Sequence, residues 1–239
     1  MHGLANAADG LCTIDELIFR KKKYSVREMN EAVRNNFAGA DSVRRDILHC
    51  PKFGENAGAD DYAVKLATLL QGLIRGYDHD NLYFSPSLHT LDANVAYGAA
   101  YGASCDGRGA GAPFAKNAGA SNAVRKSNPT SMILSASKLP QSSFFGRQPI
   151  DVNFGADTIR DHKAEIKTLI SVYLKRGGLQ FQVNALSAKL LRAAMAHPER
   201  YPDLVVRVGG FSIRFCQLSK ASQLEFVERF EKEEAKTYS

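Results

Sequence analysis

LVVRVGGFSIRF, Leu204 to Phe215, sets two runs of alternating apolar and polar residues on either side of Gly209 and Gly210. Each run reads as a β-strand, and a glycine pair tolerates the positive φ that a two-residue hairpin turn demands. In the second run, FSIRFCQ, the alternation puts Phe211, Ile213 and Phe215 on one face and Ser212, Arg214 and Cys216 on the other. Spacing alone makes both glycines a turn, and leaves open whether either carries chemistry. Leu218 to Lys236, rich in Glu and Lys, closes the chain as a helix.

Upstream of the hairpin the pattern alternates helix and strand. Thr158 to Lys175 is helical through Ile159, Ile166, Leu169, Ile170 and Val172, and Gly177-Gly178 stops it. LQFQVNAL, Leu179 to Leu186, reads as a strand, Ser187 to about His197 as a helix, and DLVVRV, Asp203 to Val208, as the strand entering the turn. From Tyr83 to Arg147 the chain is rich in Gly, Ala, Ser, Asn and Pro, a composition open to a disordered linker or to ordered loops. The first third is mostly helical. Thr13-Ile-Asp-Glu16 and Ser25-Val-Arg-Glu28 both read as capping boxes. The helix after Ser25 ends near Gly39, a short one follows from Ser42 to His49, and a third carries Val64, Ala67, Leu70, Leu73 and Ile74 on its apolar face. The order of elements is that of an α/β protein.

The 239 residues are 44% hydrophobic and 23% charged, which places the chain among globular proteins with room for a sizeable core. There is no run of 18 apolar residues, so no membrane span is expected, and MHGLANAADG lacks the basic start and apolar core of a secretory signal, which implies a cytoplasmic, reducing setting. Net charge is +6, yet the one dense basic run, Arg20 to Lys23, reads as a solvated helix end, so no nucleic-acid partner is expected. Cys12, Cys50, Cys105 and Cys216 have no metal-ligand spacing and read as packing residues. The six histidines are scattered, with no paired spacing, and read as surface or core residues. Asp60-Asp61 and Asp78-His79-Asp80 read as exposed loop carboxylates. CDGRGAGAPF, Cys105 to Phe114, fits a loose dinucleotide fingerprint, but no strand precedes it and Pro113 stands where a helix should run. No metal or bound cofactor is expected.

VVRVGGFSIRFCQLSKASQLEFVER, Val205 to Arg229, resembles the glycyl-radical segment of the pyruvate formate-lyase superfamily: R-V-x-G-[YF], a further aromatic, then Leu-Ser/Thr-Lys and a helix with Gln and Arg. The matching residues are Arg207, Val208, Gly210, Phe211, Phe215, Leu218, Ser219, Lys220, Gln223 and Arg229. ASCDGRGAGAPF resembles that family's ATPDGR loop, and NPTSMILSASKLP its PTA to SVSKL stretch. ADGLCTIDELIF, VRNNFAGADSVRRDIL and CPKFGENAGADDYAV resemble its upstream runs, so the likeness extends from about Gly3 to Arg229.

The resemblance implies the C-terminal part of a ten-stranded α/β barrel, with residues 1–110 belonging to the barrel and 111–239 forming the glycyl radical domain. It implies a backbone radical on the glycine before the aromatic, Gly210, installed as a modification by an S-adenosylmethionine-dependent iron–sulfur activating enzyme. Such a radical is oxygen-sensitive and belongs to anaerobic metabolism. It acts by generating a thiyl radical on a cysteine that then attacks a small-molecule substrate, as in formate acetyltransferases or dehydratases; RFCQLSK leans toward the former. The family's catalytic cysteine lies in an upstream loop whose motif is not matched here, and Cys105, Ser104 and Ser131 stand where the family has Pro, Thr and Ala. The implied partner is therefore a polypeptide supplying the Cys loop and the rest of the barrel; the alternatives are a spare-part radical carrier or an inactive fragment.

Overall fold

The computed structural model describes residues 1–124, 128–144 and 146–237. The chain opens with α1, Leu4–Ile14, which runs on through one wide, π-helical turn, Asp15–Arg20. Thr13 does not cap it. Its side chain is fully buried and its hydroxyl accepts a hydrogen bond from Lys52 Nζ at 3.3 Å, so the expected capping box is absent. The helix starts earlier because LANAADGLC is rich in small residues. Leu4, Ala5, Ala8 and Cys12 pack against Ala59, Ala63 and Ala67 of α4, Ala59–Arg75, in one cluster.

The second capping box is formed: Ser25 Oγ accepts from the Glu28 amide at 3.2 Å, and Glu28 accepts from the Ser25 amide at 2.7 Å. It starts α2, Val26–Arg34, and α3, Asp41–His49, follows a turn. The basic run ends the π-helical turn on the surface, where Arg20 pairs with Asp15, Lys21 with Glu16 and Lys23 with Asp46. Two expectations fail in α4. Its buried stripe is alanine, leaving Leu73 59% exposed. Asp60 is no loop carboxylate: it is fully buried in the first turn, 2.8 Å from Lys138 Nζ and 3.0 Å from Ser135 Oγ.

The Gly-rich middle contains two helices that periodicity misses, α5, Ala93–Ala99, and α6, Pro129–Ala136. α6 begins with Pro at its first position and an Asn128–Ser131 exchange of side-chain and backbone bonds, a capping box written without Glu. A strand also escapes the sequence reading: β1, Pro149–Phe154, pairs in parallel with β2, Gln180–Ala185, from Pro149↔Gln180 to Phe154↔Ala185. The crossover between them is α7, Ala156–Asp161, and α8, Lys163–Lys175; the single expected helix breaks at His162, where φ is −122° and ψ 34°. Ile150, Val152 and Phe154 pack with Met132, Ile133, Ile166 and Tyr173 on one face of this pair.

The chain ends with α9, Ala188–Ala196, the hairpin β3, Val205–Val208, and β4, Phe211–Arg214, and α10, Lys220–Thr237. Leu191, Val206, Val208, Phe215, Phe226, Val227 and Phe230 form their shared core. Phe215 has left β4, so it does not continue the Phe211–Ile213 face. Its amide bonds to Leu204 O at 2.7 Å, and a tight turn swings its ring into the core while Phe211 stays 52% exposed. Among the described residues no helix is long and apolar enough to cross a membrane.

Asp9 of α1 joins three segments: it is fully buried and accepts from the Phe53 amide at 2.6 Å and from Ser121 Oγ at 3.0 Å. Burial pushes its carboxyl up to about 7, with Lys52 pulling the other way. A carboxyl raised in the fold holds more protons folded than unfolded between its ordinary value and about 7, so its contribution weakens as pH rises through that window. Asp9→Asn, which keeps an acceptor for Phe53, is expected to be more stable than the parent in urea unfolding at pH 8. The gap should close progressively below pH 7 and vanish near pH 4; a gap independent of pH would contradict this account.

Candidate functional site

Val208 pairs with Phe211 across the hairpin, leaving Gly209 and Gly210 as a two-residue turn with φ of 53° and 95°. Two consecutive positive values are those of a type I′ turn, whose twist matches the flanking strands. Both glycines thus form the turn that the spacing implies. What it does not reveal is what the turn rests on.

Two surfaces flank the turn. One is the polar face of β1 and β2, with Asp151 and Asn153 from one strand and Gln180, Gln182 and Asn184 from the other. Asn184 acts as a backbone mimic toward β3: its Oδ1 accepts from the Arg207 amide at 2.8 Å and its Nδ2 donates to Arg207 O at 3.2 Å. The second surface is the segment from Leu88 to Asp92. The Leu88 amide bonds Arg147 O at 2.9 Å, and Thr90 and Asn117 exchange three hydrogen bonds, while Asn117 Nδ2 donates to Asp151. Between them His89 Nε2 lies 2.5 Å from Gly209 O, and its ring is 6.3 Å from Phe211, over which Arg147 also sits.

These contacts distinguish the two glycines. A Cβ on Gly209 would lie 2.8 Å from His89 Nε2 and 3.2 Å from Leu91 Cα, the latter a backbone atom. A Cβ on Gly210 would meet only Gln180, at 2.6 Å from Nε2, the far end of a flexible side chain. Gly209 is buried and Gly210 half-exposed. At Gly210 the Cα lies between an amide nitrogen, which donates electron density, and a carbonyl, which withdraws it, and no side chain resists planarity there.

The other sequence candidates lie elsewhere. The Cys105–Phe114 stretch is a loop knotted around Arg108, whose guanidinium donates to the carbonyls of Gly98, Gly102, Gly109 and Ala112 and lies 4.3 Å over the Phe114 ring. Asp106 beneath it is fully buried and accepts from Asn6 at 2.5 Å and Ser104 at 2.6 Å. The arginine thus ties the loop's carbonyls together internally. Burial pushes the Cys12 thiol up to about 11 and raises those of Cys50 and Cys105, which fits packing residues held as thiols. Among the described residues no three His, Cys, Asp or Glu side chains are grouped to hold a metal. His89, Gln180 and Asn184, which flank the turn, carry no sequence motif; the polar residues alternating in LQFQVNAL were the one hint, since a strand polar on one face must meet something polar.

Two families match this chain: one described as pyruvate formate lyase-like over residues 1–98, and one described as glycine radical over residues 114–216. The chain is 29% identical to (2S)-3-sulfopropanediol dehydratase of Klebsiella oxytoca and 31% identical to indoleacetate decarboxylase of Tractidigestivibacter scatoligenes, each over 96% of this chain and 29% of the relative. Among solved structures it is similar to the glycerol-bound B12-independent glycerol dehydratase from Clostridium butyricum, with a TM-score of 0.90 and 28% identity over 94% of this chain and 29% of that one. A glycyl radical enzyme from Archaeoglobus fulgidus gives a TM-score of 0.89 and 29% identity over 96% and 30%. The chain thus spans about 30% of the length of these proteins.

The unequal surroundings of the two glycines predict unequal tolerance. Both Gly209→Ala and Gly210→Ala incur strain of about 1–3 kcal/mol from placing a side chain at positive φ. Gly209→Ala adds a 2.8 Å approach to His89 Nε2 and a tight 3.2 Å contact with Leu91 Cα, so it should be the more destabilising in urea unfolding; equal losses would show that these neighbours yield.

Proposed function

The chain belongs to the glycyl radical enzyme superfamily, and from that premise we propose that Gly210 is the residue whose Cα carries the radical. Its α/β fold is the C-terminal part of the superfamily's ten-stranded barrel, with the hairpin near the C-terminus. The observation that carries the assignment is the unequal pair of glycines. Gly209 is a glycine because a side chain would strike His89 and press on the Leu91 backbone, whereas the space beside Gly210 is limited only by a movable glutamine. Gly210 also precedes the aromatic, Phe211, in the Arg207-Val208-x-Gly210-Phe211 pattern.

In this reading an activating enzyme that uses S-adenosylmethionine and an iron–sulfur cluster removes one hydrogen atom from Gly210 Cα. The radical then takes a hydrogen atom from a cysteine thiol, leaving a thiyl, and Gly210 regains its C–H bond. That cysteine is assigned to a Cys-loop segment whose motif none of Cys12, Cys50, Cys105 and Cys216 matches in this sequence. Residues 1–110 form the barrel part and 111–239 the radical domain. The reaction class favoured is dehydration of a small hydroxylated substrate, supported by relatives named as dehydratases, including a probable dehydratase of Escherichia coli at 28% identity. The thiyl would take the hydrogen from a hydroxyl-bearing carbon, and the neighbouring hydroxyl would leave as water with a proton. The resulting radical would recover its hydrogen from the thiol. An oxygen-sensitive, anaerobic activity in the cytoplasm follows from the same reading.

Anaerobic incubation of the chain with a radical S-adenosylmethionine activating enzyme should give the doublet of a glycyl radical in electron paramagnetic resonance, split further by [2-13C]glycine labelling. Gly210→Ala should abolish it, and air should cut the backbone of the activated parent at residue 210. A doublet that survives Gly210→Ala in a folded variant would sink the assignment.

A further inference from the structure

We propose that His89 is a positioning residue for the Gly209–Gly210 turn: by donating a hydrogen bond to Gly209 O, it fixes the plane of the peptide that supplies Gly210 with its nitrogen. The proposal rests on Gly210 as the radical site for its consequence, though not for the hydrogen bond itself.

A Gly-Gly turn has a conformational choice that other hairpin turns lack. Type I′ and type II′ turns differ mainly by a flip of the central peptide, and type I′ needs positive φ at both positions while type II′ needs it only at the first. Glycine accepts all of these values, so the pair alone does not select one. The flip would turn Gly209 O to the other side of the hairpin, away from an imidazole nitrogen now 2.5 Å from it. Since Gly209 O is an acceptor only, the imidazole nitrogen facing it carries the proton.

His89 is well placed to impose that choice because its neighbours are held on both sides. Leu88 is fully buried and bonded through its amide to Arg147 O, and Thr90 is buried and bonded three ways to Asn117. Leu91, two residues on, closes against the position a Gly209 side chain would take. The imidazole therefore reaches the turn from a fixed backbone. Gly209 O belongs to the amide whose nitrogen is the donor half of any radical at Gly210. A hydrogen bond there sets both the orientation of that amide and how much density it gives to Cα. With the plane fixed as found, the side-chain direction of Gly210 points at Gln180 Nε2.

The sequence supplies a direct probe. Gly-Gly occurs only at 177–178 and 209–210, so the intact chain labelled with [1-13C,15N]glycine gives two carbonyl-to-amide cross-peaks in an NMR experiment selecting bonded 13C–15N pairs. The Gly177 peak is an internal control. His89→Leu should displace the Gly209–Gly210 peak and leave Gly177–Gly178 in place, while His89→Gln, which keeps an N–H donor, should return it toward the parent position. An unmoved peak in His89→Leu, or equal displacement in both variants, would overturn the hydrogen-bond role. In anaerobic activation, His89→Leu should lower radical yield about 2–10-fold, the range expected for one net hydrogen bond, with His89→Gln recovering part of it. Unchanged yield despite a displaced peak would overturn the consequence for the radical. If the peaks behave as stated but the parent gives no doublet, the reading of Gly210 falls while the role of His89 in the turn stands.

Discussion

Asn184 makes the connection on which the rest of this arrangement depends. A β-hairpin of four-residue strands is marginal by itself in water. Here its first strand is tied through the amide of Asn184, which bonds both the N–H and the C=O of Arg207, as a neighbouring strand would. This fixes the hairpin's register against β2, and a one-residue slip would replace the buried Val206 and Val208 with the exposed Val205 and Arg207. The apolar side of β3 then completes the core with α9 and α10, and its turn meets Gln180 and His89. The two-residue turn follows from the glycines, but its location follows from Asn184.

The surface beneath the hairpin is polar, which sets the character of the contact. Gln182 is buried between Gln180 and Asn184 on the same strand face, and its amide has no hydrogen-bond partner among the described residues. Hydrophobic burial contributes in proportion to the area removed from water, so an apolar surface here would hold the turn by area alone. A surface of amides holds it by a few directional bonds, each worth about 0.5–1.5 kcal/mol net. Directional bonds specify the orientation of a peptide plane; area does not. The hydrophobic anchoring of the C-terminal segment is displaced to Val206, Val208 and Phe215, leaving the turn itself held mainly by polar groups.

How much of this was legible in the sequence follows from how local each cause is. The hairpin, its turn and β2 were readable because two-residue alternation and a glycine pair are local signals. The box at Ser25 is likewise contained in four residues, and it forms. Its twin at Thr13 does not, because packing of small side chains against α4 extends the helix through Thr13, and Lys52, far along the chain, takes up the hydroxyl. Asp60 was misread for the same reason, its partner Lys138 being remote in sequence. β1 went unread because a six-residue strand in a parallel pair takes its partner from across a helical crossover. The family likeness named the glycine, but His89, Gln180 and Asn184 come from three separate stretches, and only the fold shows that they meet one turn.

The two glycines illustrate the difference between a residue required by shape and one left available for chemistry. Both need glycine's backbone freedom, so conformation alone would treat them alike. Their neighbours do not. Gly209 is enclosed by an imidazole and a backbone carbon, which fix it sterically and hold its carbonyl; Gly210 is half-exposed and meets one amide that can move aside. A centre that loses and regains a Cα hydrogen has to change from tetrahedral to planar without disturbing its surroundings. In this turn the first glycine bears the constraint, which leaves the second, the proposed radical site, room for that change.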